Sequence, residues 1–448
     1  MAARTRIVRL PEQVVECCQN AQYTPEMEAS GPKNPPYLPR VVDVELDELF
    51  RFLPAIALEG ARGVGKTATA RRRARTIHYL DNPDTAIAVA GQPSLLVTGQ
   101  PPILVDEWQR FPESWDLVRR AVDDDRTPGR FLLTGSANRS DAPAHSGAGR
   151  IVRLRLRPMT LGERGIETPT VSLAELLSGT RPMIDGSTKV NLEGYVAAIV
   201  SSGFPGLRGY GDRALRAALD GYIDQIVERD FPDMGHRVRN PVALRRWMTA
   251  YASMISTTAA YESIRDASTG GRNEKPSRRT VDPYIDILEA LWVLEPVPAW
   301  LPTNSRVSRL GAAPKHQLVD PGIAARLLKL DGDGVIRSGS FLGAAFESLV
   351  TLCVRTFAQA AEAAVLHMRT RGPGEHEVDL IIERADGRVV AMEAKLASTA
   401  DDDDVRSLHW LRDRIGDRLL DAVIVTTGPY AYRRKDGIAV VPAALIGP

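Results

Sequence analysis

The sequence predicts an α/β protein of several domains, with a parallel core near the N-terminus, a largely helical middle and a second α/β unit at the C-terminal end. Three observations carry that expectation. A glycine-rich loop at 60–67 stands between a short apolar run and a run of helix formers. A second apolar run ends in two adjacent acids, Asp106 and Glu107. Two further runs, 375–382 and 389–395, are joined by an Asp-Gly turn signal and carry acids and a lysine at strand spacing.

In the core, Ala55-Ile56-Ala57-Leu58-Glu59 reads as a buried strand. Gly60-Ala61-Arg62-Gly63-Val64-Gly65-Lys66-Thr67 fits G-x-x-x-x-G-K-[ST], the P-loop, without a mismatch. The residues from Ala68 to Arg75 are rich in helix formers. Strand, loop and helix give the geometry the motif needs. Gly60, Gly63 and Gly65 let backbone N–H groups crowd around a triphosphate, and the helix N-terminus adds a positive dipole end. ATP and Mg²⁺ are therefore the expected ligands. Lys66 is expected at the β- and γ-phosphates, and the Thr67 hydroxyl on Mg²⁺. Pro102–Glu107 reads as a buried parallel strand whose carboxyl end carries chemistry. Asp106 is the second candidate metal ligand, and Glu107 the group that polarises the attacking water.

Arg130–Asn138 is a third strand, apolar and then abruptly polar. Its place after the Asp-Glu strand resembles that of the AAA-type ATPase strand that ends in a γ-phosphate sensor, and the resemblance makes Thr134, Ser136 and Asn138 the candidates, among which the sequence does not choose. Thr76–Asp81 looks like another strand. From Val152 the stretch 150–157 alternates Arg with aliphatic residues, which argues a half-buried strand. Arg153, Arg155 and Arg157 share its polar face, read as a solvated edge before a nucleic-acid contact. Arg150 stands at a Gly-Arg step and is a candidate arginine finger, in cis or from a neighbouring subunit.

A length of 448 residues suggests about three domains. Lys and Arg total 57 against 56 acids, so a nucleic-acid surface has to be local. The three cysteines lack C-x-x-C spacing, which argues against a zinc site or a disulfide framework. No leader pattern and no uninterrupted apolar window of membrane length is seen. A cytoplasmic protein without a membrane anchor is expected, with an oligomer allowed.

Residues 1–45 read as an N-terminal arm with four prolines between Gly31 and Pro39, 46–165 as the P-loop ATPase core and 166–235 as a helical lid. Residues 236–335 form a separate unit. Helices are predicted at Pro241–Ser253, at Thr257–Ala267 and from Arg278, the last with Val281, Tyr284, Ile285, Leu288 and Leu291 on one stripe. Trp292–Trp300 and Pro314–Val319 can then pair as a β-wing, completing a winged-helix pattern. Arg272, Lys275, Arg278 and Arg279 cluster where the third helix begins and are the candidate DNA or RNA contacts.

Residues 336–448 hold a second constellation. Glu347 sits on a predicted helix, Asp379 on a strand, and Glu393 and Lys395 on one face of the return strand. These are the parts of a metal-dependent nuclease centre, with carboxylates for Mg²⁺ and a lysine for the water.

The chain resembles a prokaryotic family that couples an AAA-type ATPase domain to a C-terminal domain of unknown function, built from a winged helix and a restriction-endonuclease-like fold. The segments that carry the resemblance are the P-loop, Leu-Val-Asp-Glu-Trp-Gln at 104–109, Leu-Thr-Gly-Ser at 133–136, Gly-Arg at 149–150, Gly-Phe-Pro at 203–205, Lys-His-Gln-Leu-Val-Asp at 315–320 and Glu-Ala-Lys at 393–395. Ser202-Gly203 stands where the family tends to Gly-Gly, and Val378-Asp379 where such nucleases often have Pro-Asp. The resemblance implies ATP binding and architecture, and little about substrate. The expected function is an ATPase whose nucleotide state controls a C-terminal nucleic-acid-facing module. Two other readings stay open: a metal-dependent nuclease gated by ATP, and a non-enzymatic ATP-dependent switch acting on a protein partner in signalling, toxin–antitoxin or defence systems.

Overall fold

The computed structural model describes residues 36–136, 149–235, 240–269, 275–302, 311–370 and 374–448. Pro39–Pro448 form one unit; of the other, Met1–Leu38, only residues 36–38 are described. Five parallel strands make the first sheet: β1 (Ala55–Glu59), β2 (Thr76–Tyr79), β3 (Ile103–Asp106), β4 (Phe131–Gly135) and β5 (Ile151–Arg155), in the order β2-β3-β4-β1-β5. Residues of β1, β3 and β4 are buried on both faces. That burial explains why they read as continuous apolar runs and not as alternation. Ala55, Ala57, Val105 and Leu133 face one cluster with Trp115 and Val118. Ile56, Leu58, Leu104 and Leu132 face the other, with Ala70 of the short helix Lys66–Arg71.

The second sheet has eight strands. Its members are β7 (Gly186–Ser187), β8 (Ala299–Trp300), β9 (Ala364–Arg369), β10 (Glu377–Glu383), β11 (Val389–Lys395), β12 (Leu419–Thr426), β13 (Tyr430–Arg433) and β14 (Ala439–Pro442). They run in the order β7-β13-β14-β12-β11-β10-β9-β8. β10 and β11 form the expected antiparallel hairpin, with Leu380 opposite Met392, while β12 is parallel to β11. A two-stranded piece pairs β15 (Ile446–Gly447) with β6 (Val171–Ser172).

The helix Gly339–Ala360 packs against this sheet. It is 22 residues long and apolar enough by length and composition to cross a membrane, but most of it is buried inside the protein. Its burial is that of a core helix: Phe346, Leu349, Cys353 and Phe357 all lie in the main cluster.

Four expectations change. First, residues 39–45 are not an arm. The helix Val41–Leu49 crosses the expected boundary at 45, buries Val42 and Leu46, and packs on the long helix. Second, the stretch 166–190 is no lid: β6 and β7 pair with β15 and β13 at the C-terminal end. Third, the wing is irregular. Its antiparallel pairing survives as two bridges, Leu294 with Leu318 and Val297 with Lys315, and its strand then joins the eight-stranded sheet as β8, parallel to β9. Fourth, only part of the Arg face of β5, an edge strand, is solvated: Arg153 is exposed, whereas Arg155 and Arg157 are covered and face Glu295 from the middle of the chain.

Candidate functional site

The P-loop joins β1 to the helix Lys66–Arg71 with Gly60, Gly63 and Gly65 all at positive φ. Gly60 is also a close approach: a Cβ there would lie 2.2 Å from the Leu156 carbonyl oxygen. Lys66 is buried. Its Nζ donates to the Gly60 and Ala61 carbonyls at 2.8 and 2.9 Å and to Ser136 Oγ at 3.0 Å. Burial lowers its pKa to about 8, against the pull of Glu107 and Asp106. Thr67 Oγ1 donates to Asp106 Oδ1 at 2.8 Å, and Thr134 donates to the same oxygen. Burial raises the pKa of Asp106, and the two threonine hydroxyls oppose that rise. Ser136 Oγ donates to Glu107 Oε1 at 3.2 Å, and Gln109 donates to its Oε2. Two relays thus meet at the carboxyl ends of β1, β3 and β4: Lys66–Ser136–Glu107 and Thr67–Asp106–Thr134.

Of the three sensor candidates, Thr134 is fully buried and holds Asp106, while Ser136 bridges the lysine and Glu107. Asn138 lies outside the described residues. An open cavity of about 350 Å³ adjoins the relays. Its walls combine Arg62, Glu107 and Ser136 of the core with Tyr222, Asp230, Leu291 and Val293 of the middle segment. Such a volume is in the range of small-ligand sites.

Arg150 lies elsewhere. β5 runs parallel to β1 with Ile151 beside Ala55 and Arg155 beside Glu59. Arg150 therefore sits at the amino end of the sheet, about 16 Å along the strand direction from the P-loop. There its Nε donates to Asp123 Oδ1 at 2.8 Å. Action in cis on a phosphate at the P-loop is out of its reach.

The staple around the loop went unread in the sequence. Arg40 donates to the Val64 carbonyl at 2.8 Å and to the Arg157 carbonyl at 2.6 Å, and pairs with Glu163 at 3.1 Å. Asp320 is fully buried and accepts the Gly203 N–H at 2.7 Å, which ties Gly-Phe-Pro to the end of Lys-His-Gln-Leu-Val-Asp. Phe204 then packs against Tyr222, ring centroids 4.8 Å apart, beside Gly63.

At the C-terminal end, Glu347, Asp379, Glu393 and Lys395 line one cavity, together with Glu377, which the sequence reading did not single out. They do not form a metal cage as they stand. Lys315 Nζ lies where the acids converge, 2.9 Å from Glu347 Oε1, 2.9 Å from Asp379 Oδ1 and 3.1 Å from Glu377 Oε1. Among the described residues no group of three His, Cys, Asp or Glu side chains is arranged to hold a metal. Burial raises Glu347 and Glu393 to about 8, with Asp379 adding to each and the neighbouring lysines opposing the rise. Lys315 thus holds Glu347, Asp379 and Glu377, while Lys395 pairs with Glu393 at 3.1 Å and lies 4.0 Å from Asp404. Lys315 was visible only inside a family-like segment, with no role attached to it.

Of the basic cluster at the start of the helix Arg278–Ala290, Lys275 is the member closely held within the chain. Lys275 pairs with Glu262 and Asp266, and Arg278 stands 3.6 Å from Glu262. Arg279 is exposed, and Arg272 lies outside the described residues.

A model of the AAA domain family matches residues 53–164. Two families of domains of unknown function match 192–334 (DUF8612) and 342–446 (DUF4143). Among curated proteins, the chain is 27% identical over 405 residues to uncharacterized proteins of Mycobacterium tuberculosis and Mycobacterium bovis. The match covers 87% of this chain and 80% of each relative. Among solved structures, the Walker-type ATPase PABY2304 of Pyrococcus abyssi aligns at 15% identity and a TM-score of 0.37, over 64% of this chain and 94% of that one. The McrB AAA+ assembly of Thermococcus gammatolerans with bound McrC aligns at 15% identity and a TM-score of 0.18, over 45% of this chain and 46% of that one.

Proposed function

We propose that this chain, which couples an AAA domain to a C-terminal domain of the DUF4143 family, binds Mg-ATP at the P-loop, hydrolyses it, and uses nucleotide state to move its middle segment against the C-terminal sheet. The observation that carries this reading is the meeting of the two relays beneath the P-loop. Thr67 and Asp106 are hard oxygen donors and suit Mg²⁺, directly or through water. Bound there, the ion would offset charge building on the phosphate oxygens. Lys66 is the counter-charge for the β- and γ-phosphates. Ser136 is the sensor candidate best aligned with it, and Thr134 orients Asp106. Glu107, at the mouth of the cavity, is the group that orients and deprotonates water.

Coupling to the middle segment follows from the cavity wall, which both parts of the chain supply. We read the helices Pro241–Ala252, Tyr261–Ala267 and Arg278–Ala290 with the bridged pair as a winged-helix-like unit. The eight-stranded sheet with its long helix is read as restriction-endonuclease-like. Nucleic-acid contact rests on Arg278 and Arg279, and Arg278 keeps most of its side chain in solvent. Metal-dependent cleavage has less support, because Lys315 fills the acid cluster. The test is ATP turnover by the purified chain, alone and with DNA or RNA. Turnover without nucleic acid supports the ATPase. Stimulation by DNA or RNA supports a nucleic-acid-facing module. Failure to bind ATP with Mg²⁺ sinks the whole reading.

A further inference from the structure

Arg155 closes β5 beside Glu59, one residue before the P-loop begins. The backbone leaves it no slack. Leu156 N–H donates to the Glu59 carbonyl at 2.8 Å, and the Leu156 carbonyl presses on Gly60. All three guanidinium nitrogens are buried, and none makes a hydrogen bond among the described residues. The nearest carboxylate oxygen, Glu295 Oε2, is 3.9 Å from Nη2, an ion-pair distance but too long for a hydrogen bond. Glu295 is already engaged: Arg157 donates to it at 2.7 and 2.9 Å, and Arg355 faces it at 3.7 Å. Arg155, Arg157 and Arg355 thus converge on Glu295, with Glu59 a second carboxylate beside Arg155, and Arg155 is the member whose donors are unspent.

A buried guanidinium with idle donors is costly, so this is a place where an anion is stabilised. The neighbouring anion site is the P-loop. Arg155 stands near enough to Lys66 to add to the effect of burial in lowering that lysine. Burial pulls Arg155 itself down, to about 9, which leaves it charged at neutral pH. Its other face lies over the Trp292 ring, 3.7 Å from the centroid. Trp292 is held at φ 61°, a left-handed conformation rare for an aromatic residue, and its neighbours Leu291 and Val293 line the cavity.

We propose that Arg155 is the arginine that meets the terminal phosphate of ATP in cis, and that Trp292 and Glu295, which hold it, carry nucleotide state into the middle segment. The inference rests on the nucleotide reading of the P-loop. It takes the cis role from Arg150, whose place at the amino end of the sheet leaves it only action from a neighbouring subunit. An arginine gripped by a strained tryptophan on one side and a phosphate on the other changes its hold when the phosphate leaves. The middle segment then feels hydrolysis directly.

The experiment compares ATP and ADP affinity by calorimetry in wild type, Arg155→Gln and Arg155→Lys, with tryptophan emission read in parallel against Trp292→Phe. Loss of a charge-assisted contact to the terminal phosphate should weaken ATP by about ten- to a hundredfold in Arg155→Gln. ADP affinity should stay within about twofold. Arg155→Lys keeps the charge but loses the planar fork, and should weaken ATP by a smaller factor, again with ADP unchanged. It stands in if Arg155→Gln fails to fold. ATP, but not ADP, should shift the emission, and Trp292→Phe should remove that shift. Equal loss of both nucleotides, or no loss of either, overturns the inference while leaving the P-loop reading intact. Wild type that binds neither nucleotide overturns both.

Discussion

Two lysines in this chain are buried among acids, and their pKa values move in opposite directions. Lys66 spends its hydrogen bonds on two backbone carbonyls and a serine hydroxyl, all neutral. Burial is then only partly offset by Glu107 and Asp106, and its pKa falls to about 8. Lys315 is buried as deeply, but Asp379, Glu347 and Glu377 outweigh burial and hold its pKa well above the ordinary lysine range. A lysine held by neutral oxygens still has its charge to give to an anion. One held by three carboxyl groups has given it already. The first centre keeps a charge to offer a phosphate, whereas in the second the chain itself supplies the cation that faces the acids.

The largest expected effect tests the first centre. Glu107→Gln keeps size and hydrogen bonding but cannot take a proton. Steady-state turnover should fall by roughly 10²–10⁴, with ATP affinity retained. Turnover that persists would show Glu107 to be structural. Next comes Lys315→Met, which removes the cation and strands the acids. Urea unfolding should report a loss of about 3–5 kcal/mol. Added Mg²⁺ that restores part of it, without nucleotide, would expose a latent metal site and sharpen the contrast. A loss under about 1 kcal/mol would break it.

Lys66→Met should behave the other way. Without nucleotide it should be no less stable than wild type, since folding desolvates this charge at a cost. It should instead lose the stabilisation given by Mg-ATP, about 2.7 kcal/mol at a hundredfold excess over Kd. An equal ATP-induced melting shift in both proteins would show that the P-loop is not the site.

An effect confined to acid pH concerns His367, buried beside the second centre, its Nε2 3.1 Å from the Ala313 carbonyl. Burial, then the charge of Lys315, lowers its pKa from 6.5 to about 4. The folded state therefore binds fewer protons than the unfolded state between those values. Stability is full above pH 6.5 and is lost as pH falls toward 4. His367→Gln should remove that part of the acid sensitivity, at most roughly 3 kcal/mol, seen as a flatter plot of urea midpoint against pH. An unchanged slope would mean that the histidine does not sense Lys315.

The legible parts of the molecule were the local ones. Eight consecutive residues define the P-loop, and strand period alone puts Glu393 and Lys395 on the face that Asp379 also reaches. Lys315 was not legible, because Glu347 and Asp379 lie 32 and 64 positions away and nothing near it marks a charge as buried. Arg155 looked like its neighbours Arg153 and Arg157. Alternation identifies the strand, but only its pairing with β1 decides which arginine stands by the P-loop and which end Arg150 occupies. The wing was half legible: apolar runs foretell the pairing, not that β8 continues into another sheet.

Lys315 also limits how the chain can be divided. It belongs to the match at 192–334, whereas the carboxyl groups it neutralises belong to the one at 342–446. A fragment beginning at 336 would keep Glu347, Glu377, Asp379 and Glu393 and lose the ammonium at their centre. Separating the two regions is therefore an electrostatic amputation, even where the backbone looks easy to cut. Any exchange of the C-terminal region between proteins has to carry the preceding hairpin with it or supply another cation.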